Sequence, residues 1–296
     1  MSEPTAPKSL APDTPVPDKP APGTNPERPA GVRPGSGWPE DPATPDTPVA
    51  ANAGHVRALA ADADSLAELA ARESVCRACP RLVRWREHVA VTKRRSFQAD
   101  TYWGRPLPSW GDDRPSILIL GLAPAAHGGN RTGRMFTGDR SGDFLFASLW
   151  RCGLATQPTS TAAGDGERLI SVRLTAVVRC APPENKPLPV ERDTCAPWLA
   201  RELKFLGSDL RVIVCLGHYA WMALWPQLAS LGIQVPRPRP AFGHAVEVNV
   251  PVSETVGTTS ITVLGSYHPS QQNTFTGRVT ESMLDAVFGR ARALAS

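Results

Sequence analysis

Long apolar runs are missing from this 296-residue chain. No stretch reaches the ~18 consecutive apolar residues of a membrane-crossing helix, so no membrane contact is expected. The first residues, MSEPTAPKSLAP, lack the basic start and apolar core of a secretion signal, and a cytoplasmic location is expected. Aromatic residues are almost absent from positions 1–50, where Trp38 stands alone, while 14 of the 31 prolines fall there. Such a segment buries too little apolar surface to offset its ordering entropy. Residues 1–54 are therefore expected to be a disordered Pro/Ala-rich tail and residues 55–296 a single α/β domain. No G-x-G-x-x-G follows any predicted strand, which removes the main support for a dinucleotide fold. The nearest approach to a phosphate loop, GGNRTGRM (Gly128 to Met135), has Arg134 in place of the lysine and Met135 in place of the magnesium-binding hydroxyl residue. It also begins seven residues past the strand, so no nucleotide cofactor is expected.

What is present begins with charge. Positions 1–50 hold four Lys/Arg against seven Asp/Glu, which leaves 28 basic and 21 acidic residues in the remainder, a net of +7. A mildly basic, arginine-rich body is compatible with a phosphate backbone as partner. Apolar spacing predicts helices over His55–Glu73, Leu82–Lys93, Ser141–Gly153, Val190–Leu206, His218–Leu231 and Thr280–Ala295. Short apolar runs predict strands at Ser116–Gly121, Leu174–Val178, Arg211–Gly217, Ala245–Val250 and Ile261–Gly265. Gly164–Arg168, Pro236–Pro240 and Ser253–Thr259 read as surface loops. Strands separated by long helices predict an α/β fold, a mainly parallel sheet covered on both faces.

Two strand-end loops carry the chemistry. Ile117 to Phe146 runs an apolar strand into a loop with six glycines between Gly121 and Gly142, holding Asn130, Arg131, Arg134, Phe136 and Asp139. Ile261 to Arg278 does the same around His268. Polar loops at the carboxyl ends of buried strands are where α/β proteins place their sites. Phe136 offers an aromatic face for a planar ring, while His268 and Asn185 (in PPENKP) offer donors and acceptors for its edges. Asp139 is the carboxylate of the loop, and it can equally cap the helix that follows. Of six cysteines, Cys152 and Cys215 sit in apolar runs and read as core residues. Cys76 and Cys79 form a C-x2-C, and Cys180 and Cys195 a wider pair; four such thiolates can hold zinc or an iron–sulfur cluster.

Taken together, GLAPAAHGGNRTGRMFTGD, RCAPPENKP, HPSQQNTFTG and the cysteine quartet resemble the uracil-DNA glycosylase superfamily, and within it family 5, the iron–sulfur type B branch. The resemblance covers roughly Leu66 to Ala293. It implies a three-layer αβα sandwich and a monofunctional DNA glycosylase acting as a monomer on double-stranded DNA. The enzyme would flip a damaged base and hydrolyse its N-glycosidic bond. It also implies a structural 4Fe–4S cluster on Cys76, Cys79, Cys180 and Cys195. Phe136 would stack on the base, with Gly121, Ala123 and Ala125 around it. Asn185 would bond the base or position water, His268 would donate to a base carbonyl, and Asp139 would orient water or stabilise the sugar cation. Arg131, Arg134, Gln271, Asn273 and Arg278 would contact DNA.

Two departures stand out. The best-known branch has an aspartate where this chain has Ala123, and family 4 has a glutamate where it has Leu122. The tyrosine that excludes a thymine methyl is also absent, with Ala125 and Ala126 in its place. A roomier pocket predicts tolerance of hypoxanthine, ethenocytosine or 5-hydroxymethyluracil beside uracil. Competing classes are a non-catalytic metal-containing DNA-binding module, which binds without releasing base, and a phosphate-loop enzyme, which needs magnesium.

Overall fold

The computed structural model describes residues 31–207, 209–252 and 260–296. Residues 1–30 of the expected tail and the expected loop Ser253–Thr259 lie outside the described residues. Helices α1 (Ala53–Ala61), α2 (Leu66–Ser74) and α3 (Pro80–Thr92) precede the sheet. There follow β1 (Trp110–Gly111), β2 (Ile117–Gly121), α4 (Gly129–Thr132), α5 (Arg140–Arg151), β3 (Val172–Ala176) and α6 (Pro189–Leu206). The chain continues through β4 (Val212–Leu216), α7 (His218–Ser230), β5 (Glu247–Pro251), β6 (Ser260–Ser266), α8 (Gln271–Phe275) and α9 (Glu281–Ala295).

The six strands form one sheet in the order β1-β3-β2-β4-β6-β5. The four inner strands are parallel, and short antiparallel strands close both edges. The inner strands are apolar along their length because both faces are covered. In β2, Ile117 and Ile119 face the layer of α5 and α9, where Leu145, Phe146, Leu284 and Phe288 are buried. Leu118 and Leu120 face the opposite layer, with Leu199 and Leu203 of α6 and Trp221 and Leu224 of α7. The architecture is a three-layer αβα sandwich with a mainly parallel sheet. From β2 the chain crosses to β3 on one side and then to β4 on the other. This reversal opens a crevice at the carboxyl end of β2, where doubly wound sheets hold ligands.

Two expectations change. The helix expected over His55–Glu73 is two helices, because Ser65 accepts the Glu68 N–H (3.2 Å) and caps a new one, while Glu68 accepts the Asp64 N–H (2.8 Å). The expected disordered tail does not extend to residue 54. Val32 N–H donates to the Trp103 carbonyl (2.9 Å), and the Trp38 and Trp103 rings lie 6.0 Å apart. Asp41 takes both terminal nitrogens of Arg105 at 2.8 and 2.9 Å, and Asn52 caps α1 through the His55 N–H. Average composition concealed these anchors, since a few specific contacts fasten a segment poor in apolar residues.

Candidate active site

A cavity of about 290 Å³ opens at the carboxyl ends of β2, β3 and β6. The chain leaving β2 forms one wall, from Leu122 to Ala125, and is held to the chain leaving β3 by Val177 N–H to Gly121 O and Val178 N–H to Leu122 O, both 3.0 Å. Phe136, Asp139, Asn185 and His268 all line this cavity, so residues spread over 133 positions of sequence converge. Ala123 and Ala125 supply small side chains to the wall as expected. Met135, Ser141, Ala176 and Ser270 also line it and were not anticipated. Ser270 was marked by its place in HPS, where it caps α8.

Gly121 plays a different part from the expected one. It lies beneath the Phe136 ring instead of on the cavity wall: a Cβ at this position would stand 2.5 Å from the Phe136 ring. Phe136 itself has φ +52°, a left-handed backbone that costs a bulky residue of order 1–3 kcal/mol. The loop accepts that strain to turn the ring onto the strand end. The imidazole of His268 lies 6.3 Å from the ring, tilted 31° from it. The two rings give the cavity aromatic sides.

Asp139 performs both roles that its sequence position allowed. Gly142 N–H donates to its Oδ1 (3.0 Å), so the carboxylate caps α5. The same side chain borders the cavity, and its Oδ2 sits against Gly128, where any side chain would collide with it. Burial pushes the Asp139 carboxyl above the usual carboxylate range; the Gly142 and Ser141 amides work in the opposite direction. The result is a carboxylate more basic than one in water. His268 shifts the other way: burial pushes its imidazole down to about 4, so the ring is neutral at physiological pH. Asn273 fixes the His268 loop by donating Nδ2–H to the His268 carbonyl (2.9 Å). Asn185 stands exposed at the mouth, on a 3-10 turn (Pro183–Asn185), with φ +55° after Glu184 at +53°. Asparagine tolerates the left-handed region better than most residues.

Two expected DNA contacts are corrected. Arg134 is 2% exposed; it donates to Ser160 (2.8 Å) and Asp165 (2.6 Å), and stacks over Trp110. Arg131 donates to the His127 carbonyl, Asp100 and the Gly138 carbonyl, each at 2.9 Å, and lies over the Phe97 ring. Both arginines brace the glycine loop from within, Arg134 by burial and Arg131 by its three hydrogen bonds. Gln271 and Arg278 are exposed, the latter over the Tyr267 ring at 4.8 Å, while Asn273 is half-buried.

The four candidate cysteines surround one enclosed void bounded by Arg86, Arg179 and Trp198. Cys79 is the N-cap of α3, with Pro80 at the first helical position. Arg86 Nη1 donates to Cys180 Sγ (2.9 Å) and Arg179 N–H to Cys195 Sγ (3.4 Å). Burial and mutual repulsion push Cys76 up to about 11 and Cys79 up to about 12, so without a bound cation both stay protonated thiols. Among the described residues, no three His, Cys, Asp or Glu side chains converge closely enough to share one ion. An all-sulfur donor set around a common void fits an iron–sulfur cluster in kind. The segment joining Cys180 to Cys195 carries Asn185, and Arg81 holds it by donating to the Lys186 carbonyl (3.1 Å) and to Glu191. The cysteine site thereby positions one side of the cavity mouth. Cys215 is buried in β4 as expected, and Cys152 caps the end of α5. No helix among the described residues is long and apolar enough to cross a membrane.

Comparison with known proteins agrees with this geometry. The family model described as the uracil DNA glycosylase superfamily matches residues 108–291. The chain is 55% identical to a type-5 uracil-DNA glycosylase of Mycobacterium tuberculosis over 264 residues, 89% of this chain and 94% of the relative. It is 47% identical to the type-5 uracil-DNA glycosylase of Thermus thermophilus over 222 residues, 75% of this chain and 94% of the relative. A type-4 uracil-DNA glycosylase of Archaeoglobus fulgidus is 31% identical over 115 residues, 38% of this chain and 49% of the relative.

The state of His268 yields a direct expectation. An unfolded histidine takes up a proton below about pH 6.5. The native one does so only near 4, so this residue withdraws stability as pH falls from 6.5 towards 4. Imidazole NMR of the native protein should show His268 titrating near pH 4. A midpoint above pH 6 would contradict a buried neutral ring.

Proposed function

Because this chain belongs to the uracil-DNA glycosylase superfamily, we propose that its cavity receives a uracil flipped out of DNA and hydrolyses the bond between base and sugar. It is a DNA glycosylase. The observation that carries the substrate reading is the junction of the Phe136 and His268 rings with the Asp139 carboxylate in one cavity of about 290 Å³. A base cannot be reached inside a stacked duplex, so it must be extruded and held by stacking and edge hydrogen bonds.

The roles follow from the local physics. The base lies on the Phe136 ring, supported from below by the backbone of Gly121. As the C1′–N bond breaks, its electron pair leaves with the base and negative charge grows on a base carbonyl. A neutral His268 N–H donates to that oxygen; the low affinity of the ring for a second proton keeps it a hydrogen-bond donor, not an acid. Positive charge grows on the sugar, and the half-buried Asp139 carboxylate opposes it. Water then bonds to C1′ and loses its proton, with Asp139 as the nearby acceptor. Ala123 leaves no carboxylate on the strand-end wall, so that task falls to Asp139. Asn185 reaches the base edge from the mouth. Gln271, Asn273 and Arg278 follow on the His268 loop, and Asn273 and Arg278 line an adjoining cavity that shares Leu122 and His268. There Phe275 is exposed and carries the Arg140 guanidinium at 4.7 Å, a surface suited to entering a duplex.

Small residues at Ala123 and Ala125 leave room for bases other than uracil, including hypoxanthine, ethenocytosine and 5-hydroxymethyluracil, while Ala126 packs away from the cavity against the Tyr102 cluster. Cys76, Cys79, Cys180 and Cys195 would hold a 4Fe–4S cluster, which when bound would tie the first helices to the Asn185 segment as a structural cross-link.

Two experiments test this reading. Purified protein should be yellow-brown, with absorbance near ~400 nm. It should convert duplexes carrying uracil or each of the three altered bases to alkali-labile abasic sites. Tight binding with no base release would mark a non-catalytic module, and strict confinement to uracil would refute the roomy pocket. Among variants, Asp139→Ala should lose more single-turnover activity than Asn185→Ala, by about tenfold or more. An equal or larger loss at Asn185 would reverse the assignment of the chief catalytic group.

A further inference from the structure

We propose that Arg94 and Arg95, just beyond α3, grip the phosphate backbone of the strand flanking the extruded nucleotide. This rests on the glycosylase reading above. Both side chains are exposed, and neither forms an ion pair with an acidic group among the described residues. The run Lys93-Arg94-Arg95 has one acidic neighbour in its segment, Asp100, and Arg131 already takes that carboxylate (2.9 Å). Uncompensated positive charge therefore remains at the surface.

The placement of this charge is fixed by contacts with the glycine loop. Arg94 N–H donates to the Tyr102 hydroxyl (3.4 Å), which is hydrogen-bonded to His127 Nδ1 (3.0 Å). Phe97 and Ala126 pack against the same buried cluster as Tyr102, and Ala126 follows the cavity-wall residue Ala125. Arg131 ties the segment a second time, with Phe97 beneath its guanidinium, Asp100 on one nitrogen and the carbonyl of Gly138, next to Asp139, on another. The basic segment is thus stapled to both limbs of the loop that builds the cavity. Its chain direction is set at Lys93, which leaves the helix at φ +52° and ψ 164° and donates Nζ–H to the Gln98 carbonyl (3.2 Å). That turn leaves Arg94 and Arg95 exposed on a segment fastened to the loop that builds the cavity.

A partner that inserts one base into the cavity must lay its polyanionic backbone over the adjoining rim. Two unpaired guanidiniums on that rim match it in charge. Arginines that touch only phosphate add affinity without sequence preference and add to its salt dependence.

The test is equilibrium binding of the full chain to a uracil-free duplex, followed by fluorescence anisotropy between about 50 and 200 mM salt. Each phosphate contact contributes a slope of about −0.9 in log affinity against log salt. The pair Arg94→Ala, Arg95→Ala should lower the salt-induced loss of affinity about tenfold relative to wild type across that range. The pair Arg94→Lys, Arg95→Lys should keep the wild-type slope. So should Arg114→Ala, whose exposed side chain pairs with Asp209 just before the start of β2, away from the cavity. A wild-type slope in the alanine pair would overturn the proposal, as would a lysine pair that fails as the alanine pair does. Uracil release by the wild-type protein in the same buffer separates the two ideas. Release with an unchanged slope defeats the grip alone. No release defeats the glycosylase reading and, with it, the placement on a flanking strand.

Discussion

The contact between the Phe136 ring and the bare backbone of Gly121 organises this molecule's site. For this buried parallel strand to end in a ligand pocket, the last residue of its ladder, Gly121, must leave room for something to lie across it. Here the something is an aromatic ring, held by a backbone bent into the left-handed region. Everything around the ring serves to hold that bend. Asp139 caps the next helix three residues on, Gly128 yields space for its second oxygen, and Arg131 and Arg134 tie the loop to segments before and after it. The carboxylate is consequently delivered to the cavity by the same bonds that close the loop.

Burial then sets the chemistry. The Asp139 carboxyl is made more basic and the His268 imidazole less so, in each case chiefly because the charged form is poorly solvated. The two shifts pull in complementary directions. In the proposed reaction the neutral donor would meet the leaving base, and the carboxylate with heightened proton affinity would meet the sugar and water. With Ala123 leaving no carboxylate at the strand end, the proposed reaction relies on stabilisation of developing charge more than on a strong base.

Much of this was legible in the sequence, and the failures have physical causes. The inner strands stood out because parallel strands covered on both faces must be apolar throughout. The edge strand β1, two residues long, gave no such pattern. The convergence of Phe136, Asp139, Asn185 and His268 on one cavity was legible because each follows a buried strand at its carboxyl end. Arg131 and Arg134 misled because a glycine-rich loop needs internal bracing, and an arginine that braces looks in sequence like one that greets phosphate. The exposed pair Arg94 and Arg95 went unnoticed because its tie to the glycine loop runs through Tyr102 and His127, contacts that spacing does not encode. Residues 31–54 were misjudged because anchoring by Trp38, Asp41 and Asn52 is specific, whereas composition is an average.

The seat of Phe136 on Gly121 is the claim on which the account turns, and Gly121→Ala addresses it with a single methyl group. Circular dichroism should show the variant folded, while its single-turnover release of uracil from a duplex should fall by about 100-fold, the scale expected when a positioning surface moves by about 1 Å. A folded variant that excises uracil within about threefold of wild type would contradict the account, because the ring would then have no need of the bare strand end.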